Sequence, residues 1–143
     1  MRKNRLQEES YHSRGVTLIS YMTPVICGLL LIIALKYIFL IGYVPSASME
    51  PSINEGSYIF ADRIYGELNR GDIVVFVHDY TLYVKRIAAL PGDKVKIIGK
   101  DLRVPEGCYY MLGDNASNSI DSRYWADPFL PAPAILAKVW FVN

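Results

Sequence analysis

The residues that could carry out hydrolysis are serines and a lysine. Ser46 and Ser48 lie in the segment Pro45-Ser46-Ala47-Ser48-Met49-Glu50-Pro51. Small residues between prolines predict a rigid and open turn. A hydroxyl displayed on such a turn is accessible to a substrate, and it becomes a nucleophile when a neighbouring base removes its proton. Taken alone, however, the same segment is typical of an ordinary loop.

Lys85 is the candidate base. Residues 81–90 are predicted to form a strand, in which side chains alternate between the two faces, so Lys85 shares its face with Tyr83, Ile87 and Ala89. Burial on such an apolar face disfavours the ammonium form and lowers the pKa of a lysine. A neutral amine can then accept the proton of a serine hydroxyl. The pattern by itself favours the plainer alternative, a partly exposed strand lysine whose amine reaches solvent.

The segment that must anchor these residues is a membrane helix. Residues 15–35 carry no charged side chain, and at about 1.5 Å per residue they span roughly the 30 Å hydrocarbon layer. A removable signal peptide is the alternative, but its apolar region is shorter, about 7–15 residues. We therefore predict a tail at 1–14, an anchor at 15–36 and an outer domain at 37–143. Four basic residues precede the span and one follows it closely, which places the amino terminus in the cytoplasm and the outer domain across the plasma membrane: Arg2, Lys3, Arg5, Arg14 and Lys36.

The histidines do not complete a Ser-His-Asp triad. His12 belongs to the predicted cytoplasmic tail, so it cannot reach the outer domain. His78 ends the predicted strand at 73–77 beside Asp79, and we interpret it as a solvated loop histidine whose replacement leaves activity intact. Outside the tail and the His78–Asp79 pair, no His, Cys, Asp or Glu residues recur at ligand spacing. We expect neither a metal ion nor an organic cofactor.

The outer domain is predicted to be all-β. Short apolar and β-branched runs separated by turn residues are typical of such domains. The predicted strands cover residues 37–44, 57–63, 73–77, 81–90, 94–98, 101–104, 108–112 and 137–142. The formal net charge of +1 gives no basic surplus for nucleic acid, so no nucleic-acid partner is expected.

Four segments, in order and at plausible separations, resemble the sequence boxes of bacterial type I signal peptidases. They correspond to a nucleophile box (I/V)PSxSMxPT, a GDIVVF strand, a lysine box YxKRxxxLPGD and a late box GDNxxNSxDSR, at residues 44–51, 71–76, 83–93 and 113–123. A single box would be a weak signal, but four in order are specific. The resemblance implies a minimal, membrane-anchored serine endopeptidase of the Gram-positive kind.

The resemblance also implies the role of each site residue. Ser48 would be the nucleophile and Lys85 the general base, and the hydroxyl of Ser46 with the backbone N–H of Ser48 would form the oxyanion hole. Ser119 would bind and orient the lysine amine. Two ion pairs would hold the late box in place: Asp121 with Arg123 and Asp114 with Arg86.

The implied substrates are preprotein signal peptides, bound as an added strand and cleaved after an Ala-x-Ala site at the surface of the lipid bilayer. The substrate pockets would be lined by Val44, Met49, Ile53, Tyr83 and Val84. Two alternatives stay open. One is a conjugation-type processing peptidase with the same Ser-Lys pair, and the other is an inactive membrane protein that only binds signal peptides.

Overall fold

The computed structural model describes the backbone of residues 2–143 and the side chains of residues 20–143. The chain divides into two units, Met1–Tyr37 and Ile38–Asn143. In the first, helix α1 (Arg2–Ile38) contains the stretch Ser20–Ile38, whose mean hydropathy of 1.9 and length suffice to cross a membrane. His12 and the other side chains of the predicted tail lie outside the described side chains.

The second unit is built from nine strands and two short 3₁₀ turns. The strands are β1 (Phe39–Tyr43), β2 (Tyr58–Asp62), β3 (Ile73–His78), β4 (Thr81–Ala89), β5 (Lys94–Ile97), β6 (Lys100–Arg103), β7 (Cys108–Leu112), β8 (Phe129–Pro131) and β9 (Ile135–Val142). Seven of them form one antiparallel sheet in the order β1-β2-β9-β3-β4-β7-β8. Strands β5 and β6 form a separate hairpin. The predicted mainly β fold after a single apolar helix is confirmed.

Most strand boundaries match the sequence prediction within two residues, and the differences have local causes. The first strand was predicted from Tyr37, but Tyr37 and Ile38 belong to the end of α1, because the apolar sequence passes from the helix into the strand with no turn residue to mark the boundary. Strand β8 was missed, since it has only three residues, follows Pro128 and ends in Pro131, and so shows no alternation. Strand β9 begins at Ile135, two residues earlier than predicted.

The core lies against the middle of the large sheet. Strand β3 runs between β9 and β4, and its residues Val74, Val75 and Phe76 are all buried, so both of its faces are covered. This explains its unbroken apolar sequence, because a strand covered on both faces needs no polar side. Burying each such side chain contributes about 1.5–3 kcal/mol. The result is a rigid platform beside which β4 presents Lys85.

Candidate active site

Ser48 lies in a 3₁₀ turn (Ala47–Met49) that the core holds from below. Met49 and Ile53 are fully buried in one apolar cluster with Val44, and Ile53 N–H donates to Met49 O at 2.9 Å. The burial of Met49 draws its neighbour Ser48 inward, so that only 7% of Ser48 is exposed. The sequence predicted that an open turn exposes Ser48. In the structure Ser48 instead lies at the floor of a cleft.

The loop after β7 also holds the turn that carries Ser48, through hydrogen bonds from Asn115. Asn115 donates twice, from its backbone N–H to Ser48 O at 3.1 Å and from Nδ2 to Ala47 O at 3.0 Å. The Ser48 backbone is thus fixed by two elements that are distant in sequence. Such fixation stabilises one orientation of a nucleophile at no further cost during the reaction.

Lys85 comes from β4 and meets Ser48 directly. Alternation along β4 buries Lys85, Ile87 and Ala89, and Lys85 is only 3% exposed. Its Nζ lies 2.5 Å from Ser48 Oγ and 5.9 Å from the ring centroid of Tyr83. Burial lowers the pKa of the Lys85 ammonium, and this effect outweighs the opposing attraction of Asp121. The site can therefore supply a neutral amine in contact with a hydroxyl.

Two cavities open on this contact, each of about 450–460 Å³, and Ser46, Ser48, Tyr83 and Lys85 line both. The first runs along β1 and the beginning of β4, and the predicted pocket residues Val44, Met49, Tyr83 and Val84 line it. The second is bounded by the late box: Ser117, Asn118, Ser119, Ile120 and Tyr124. Ile53, also predicted to line a pocket, lines neither cavity because it is fully buried in the core.

The sequence is similar to that of a known protein family. The family model described as "Signal peptidase, peptidase S26" matches residues 17–104 and 98–143. The chain belongs to this family. It is similar to the "Probable signal peptidase I-2" of Synechocystis sp., with 33% identity over 68% of this chain and 60% of that protein. It is also similar to the "Signal peptidase I S" of Bacillus subtilis, with 32% identity over 69% of this chain and 74% of that protein. A third relative is the "Mitochondrial inner membrane protease subunit 1" of Schizosaccharomyces pombe, with 32% identity over 73% of this chain and 76% of that protein.

This chain spans less than two thirds of the cyanobacterial relative's length. The name of the family, a peptidase, agrees with the chemistry of the site, in which the buried amine of Lys85 contacts the hydroxyl of Ser48. Among the side chains that the structure describes, no group of three His, Cys, Asp or Glu residues is placed to hold a metal ion.

The two predicted ion pairs are both present in the structure. Arg86 binds Asp114 through two bonds of 2.8 and 2.6 Å, and its Nη1 donates to Gly71 O at 2.6 Å. The bonds from Arg86 hold the pKa of Asp114 below its ordinary value, against the effect of burial. Arg123 binds Asp121 at 2.8 and 2.7 Å. The first bidentate pair holds the late box against β4, and the second links two residues within the late box.

Ser119 is bonded differently from what the resemblance implies. Its hydroxyl donates to Asp121 Oδ2 at 2.7 Å, and the described hydrogen bonds include none between Ser119 and Lys85. A carboxylate is a stronger acceptor than a neutral amine, which explains the preference. Ser119 still lines the second cavity beside Lys85, so its role as an orienting group remains a proposal.

His78 is not the solvated loop histidine that the sequence predicted. It is the last residue of β3, its side chain is only 19% exposed, and its ring stacks on Trp125 with a centroid distance of 4.0 Å. Trp125 also packs against Phe76 and Tyr83. Nothing in the sequence indicates that His78 contacts Trp125, 47 positions later, so this stacking could be found only from the fold.

Asp121 is the electrostatic centre of the late box, and its neutralisation is expected to destabilise the fold. It is fully buried and accepts bonds from Gly113 N–H at 2.9 Å, from Ser119 and from Arg123. Burial raises the pKa of Asp121, but these bonds together outweigh burial and hold it below its ordinary value. In Asp121→Asn an amide NH₂ must face a donor whichever way the side chain turns, so we expect a loss of about 2 kcal/mol in unfolding free energy.

The measurement is urea unfolding of both proteins at several pH values, with Asp101→Asn as control because Asp101 is exposed on β6. The contribution of an acid with a depressed pKa is present above its unfolded pKa, about 3.9, and is lost as pH falls through its folded pKa. The stability difference should therefore be full at pH 7 and shrink below about pH 4. An equal difference at pH 7 and pH 3 would contradict this origin.

Proposed function

We propose that this chain is a membrane-anchored serine endopeptidase that removes N-terminal signal peptides from preproteins after an Ala-x-Ala site. The observation that carries the proposal is the 2.5 Å contact between buried Lys85 Nζ and Ser48 Oγ at the floor of a cleft. Membership of the signal peptidase family and the names of the similar proteins support it. Helix α1 would be the anchor, with the amino terminus in the cytoplasm and the β-domain outside.

The proposed reaction uses the neutral amine as general base. Ser48 donates its proton to Lys85 Nζ while its Oγ attacks the scissile carbonyl carbon, and the protonated amine then gives that proton to the leaving amino group. The resulting ester is hydrolysed by water, which Lys85 deprotonates in turn. Ser46, whose Oγ lies 3.4 Å from Ser48 Oγ, and the Ser48 N–H would stabilise the oxyanion; such donors typically contribute about 2.7–4 kcal/mol each.

The cleft offers a substrate two free strand edges. Strand β1 is the last strand on its side of the large sheet, and β4 pairs with β7 only from Arg86 onward. The first cavity lies along β1 and the residues of β4 that precede Arg86, including Leu82 and Val84. An extended peptide between them could bond to either edge, which is how added strands gain affinity. Val44, Met49 and Tyr83, which line this cavity, would form the pockets for the two alanine side chains.

The test is the pH dependence of preprotein cleavage by the full chain in detergent. Because burial lowers the pKa of Lys85 and only the neutral amine is a base, the rate should rise with pH, about tenfold per unit below that pKa, and level off above it. The readout is kcat/KM from pH 5 to pH 10, with a substrate whose two site alanines are replaced by arginine as the control. A flat profile from pH 5 to pH 9, or equal cleavage of the control substrate, would contradict the proposal.

A further inference from the structure

A cation lies at the far end of the substrate cleft from Ser48. Arg63 follows β2 directly and lines the first cavity. In β2 the buried residues are Ile59 and Ala61, so alternation places Arg63 on the same face as these two. The backbone is fixed there, because Arg63 N–H donates to Ile38 O at 2.8 Å. The guanidinium thus ends an otherwise apolar row on the cleft face.

The charge of Arg63 is not neutralised by any group in the described part of the protein. Its side chain is exposed and makes none of the hydrogen bonds or ion pairs found among residues 20–143. The cavity lining contains no carboxylate, and its other basic residue is Lys85, which must be neutral to act as a base. By contrast, Arg70, Arg86 and Arg123 each bind an aspartate.

The sheet register gives the distance of Arg63 from the end of the cleft at which Val44 leads into the Ser48 turn. Val44 N–H bonds to Ser57 O at one end of the β1–β2 pair, and Arg63 bonds to Ile38 at the other. Six residue steps, from Ile38 to Val44, separate these levels, about 20 Å at 3.3 Å per residue. Between them lies Gly42, where a Cβ would approach Ile59 Cγ1 to 3.2 Å, so the glycine keeps the floor open. A bound strand would pass Arg63 about six residues from its scissile bond.

We propose that Arg63 is a specificity-determining residue that binds a carboxylate side chain, Asp or Glu, about six residues before the scissile bond. The inference rests on the proposed peptidase function, since it assigns the cavity to the residues before the cleavage site. The same charge disfavours substrates with lysine or arginine at that position. Because the pair is solvent-exposed, its effect is moderate and falls as salt screens it.

The experiment uses the full chain in an uncharged, phosphate-free detergent and peptides with one Ala-x-Ala site. A single Glu, Gln or Lys is placed in turn at each position from four to eight residues before the scissile bond. At the position nearest Arg63, kcat/KM should be about threefold higher with Glu than with Gln, and about threefold lower with Lys. Arg63→Gln should remove the preference and Arg63→Glu should reverse it.

The matched control is Arg103→Gln, since Arg103 is an exposed arginine on β6 and does not line the cavity. It should keep the Glu preference, and 0.5 M salt should reduce that preference in the parent protein. The inference is overturned if Glu, Gln and Lys peptides are cleaved equally, or if Arg63→Gln leaves the preference unchanged. If no peptide is cleaved at all, the proposed function fails and this inference with it.

Discussion

Cleavage of a preprotein should fall to background in both Ser48→Ala and Lys85→Ala. The two side chains act as a unit, because the hydroxyl is activated only through its 2.5 Å contact with Lys85 Nζ. Removing either member of such a unit typically costs on the order of 10⁴- to 10⁶-fold in kcat. We therefore expect each variant to lose at least about 10⁴-fold, and the double variant to lose no more than either one alone.

The measurement is the rate of appearance of the mature product, followed by mass spectrometry so that the cleavage position is also known. Matched controls are Ser57→Ala, a serine that lines neither cavity, and Lys94→Ala, an exposed lysine on β5. Both should keep the parent rate. Unfolding curves for the four single variants and the double variant separate loss of chemistry from loss of fold.

His78→Ala tests whether a histidine, and not Lys85, is the general base. We expect it to retain activity, because His78 lies against Trp125 and makes no hydrogen bond with Ser48 in the described part of the chain. The loss of its stack with Trp125 should lower stability more than rate. Activity that survives Lys85→Ala but is lost in His78→Ala would exclude the lysine as the base.

The sequence predicted those parts of the site that depend on local alternation. Period-two patterns placed Lys85 on the apolar face of β4, and the structure buries it there. Whether its amine reached solvent could not be predicted, because that depends on Ser48, 37 residues away in the chain. Residue patterns leave such a contact open, and here only the resemblance to a family brought the two residues together before the fold was known.

The contacts of the late box show a second limit of sequence reasoning. The pairs Asp121–Arg123 and Asp114–Arg86 were implied by the resemblance to a family, and the structure contains both. The hydrogen-bond partner of Ser119 could not be predicted in this way, because the sequence does not show how close its hydroxyl lies to Asp121 or to Lys85. In the fold it donates to Asp121. Likewise, nothing in the sequence indicated that Arg63 would line the cleft, since this depends on the pairing of β1 with β2.

Gly113→Ala is expected to cost about 10²-fold or more in kcat with a much smaller effect on KM. A Cβ added at Gly113 would lie 2.6 Å from Ser48 O and 2.6 Å from Ser119 Cβ, and it would collide with Ser119 Oγ. Real Cβ atoms do not approach backbone oxygens this closely, so the Ser48 turn must move. Displacing a nucleophile by about 1 Å can reduce the rate about 10²-fold. The glycine is required for space, because its φ is not in the left-handed region.

The matched control for this prediction is Gly66→Ala, because no atom lies within 4 Å of a Cβ at that position and its φ is also outside the left-handed region. It should keep the parent kcat. The kinetic split separates displacement from unfolding: a displaced Ser48 lowers kcat in every folded molecule, whereas partial unfolding lowers the number of active molecules, which active-site titration with a serine-reactive inhibitor counts. Since Gly113 N–H also donates to Asp121, the new methyl group pushes on the nucleophile and the carboxylate network at once. A Gly113→Ala enzyme with the parent kcat would mean that the turn carrying Ser48 can yield without losing its contact with Lys85.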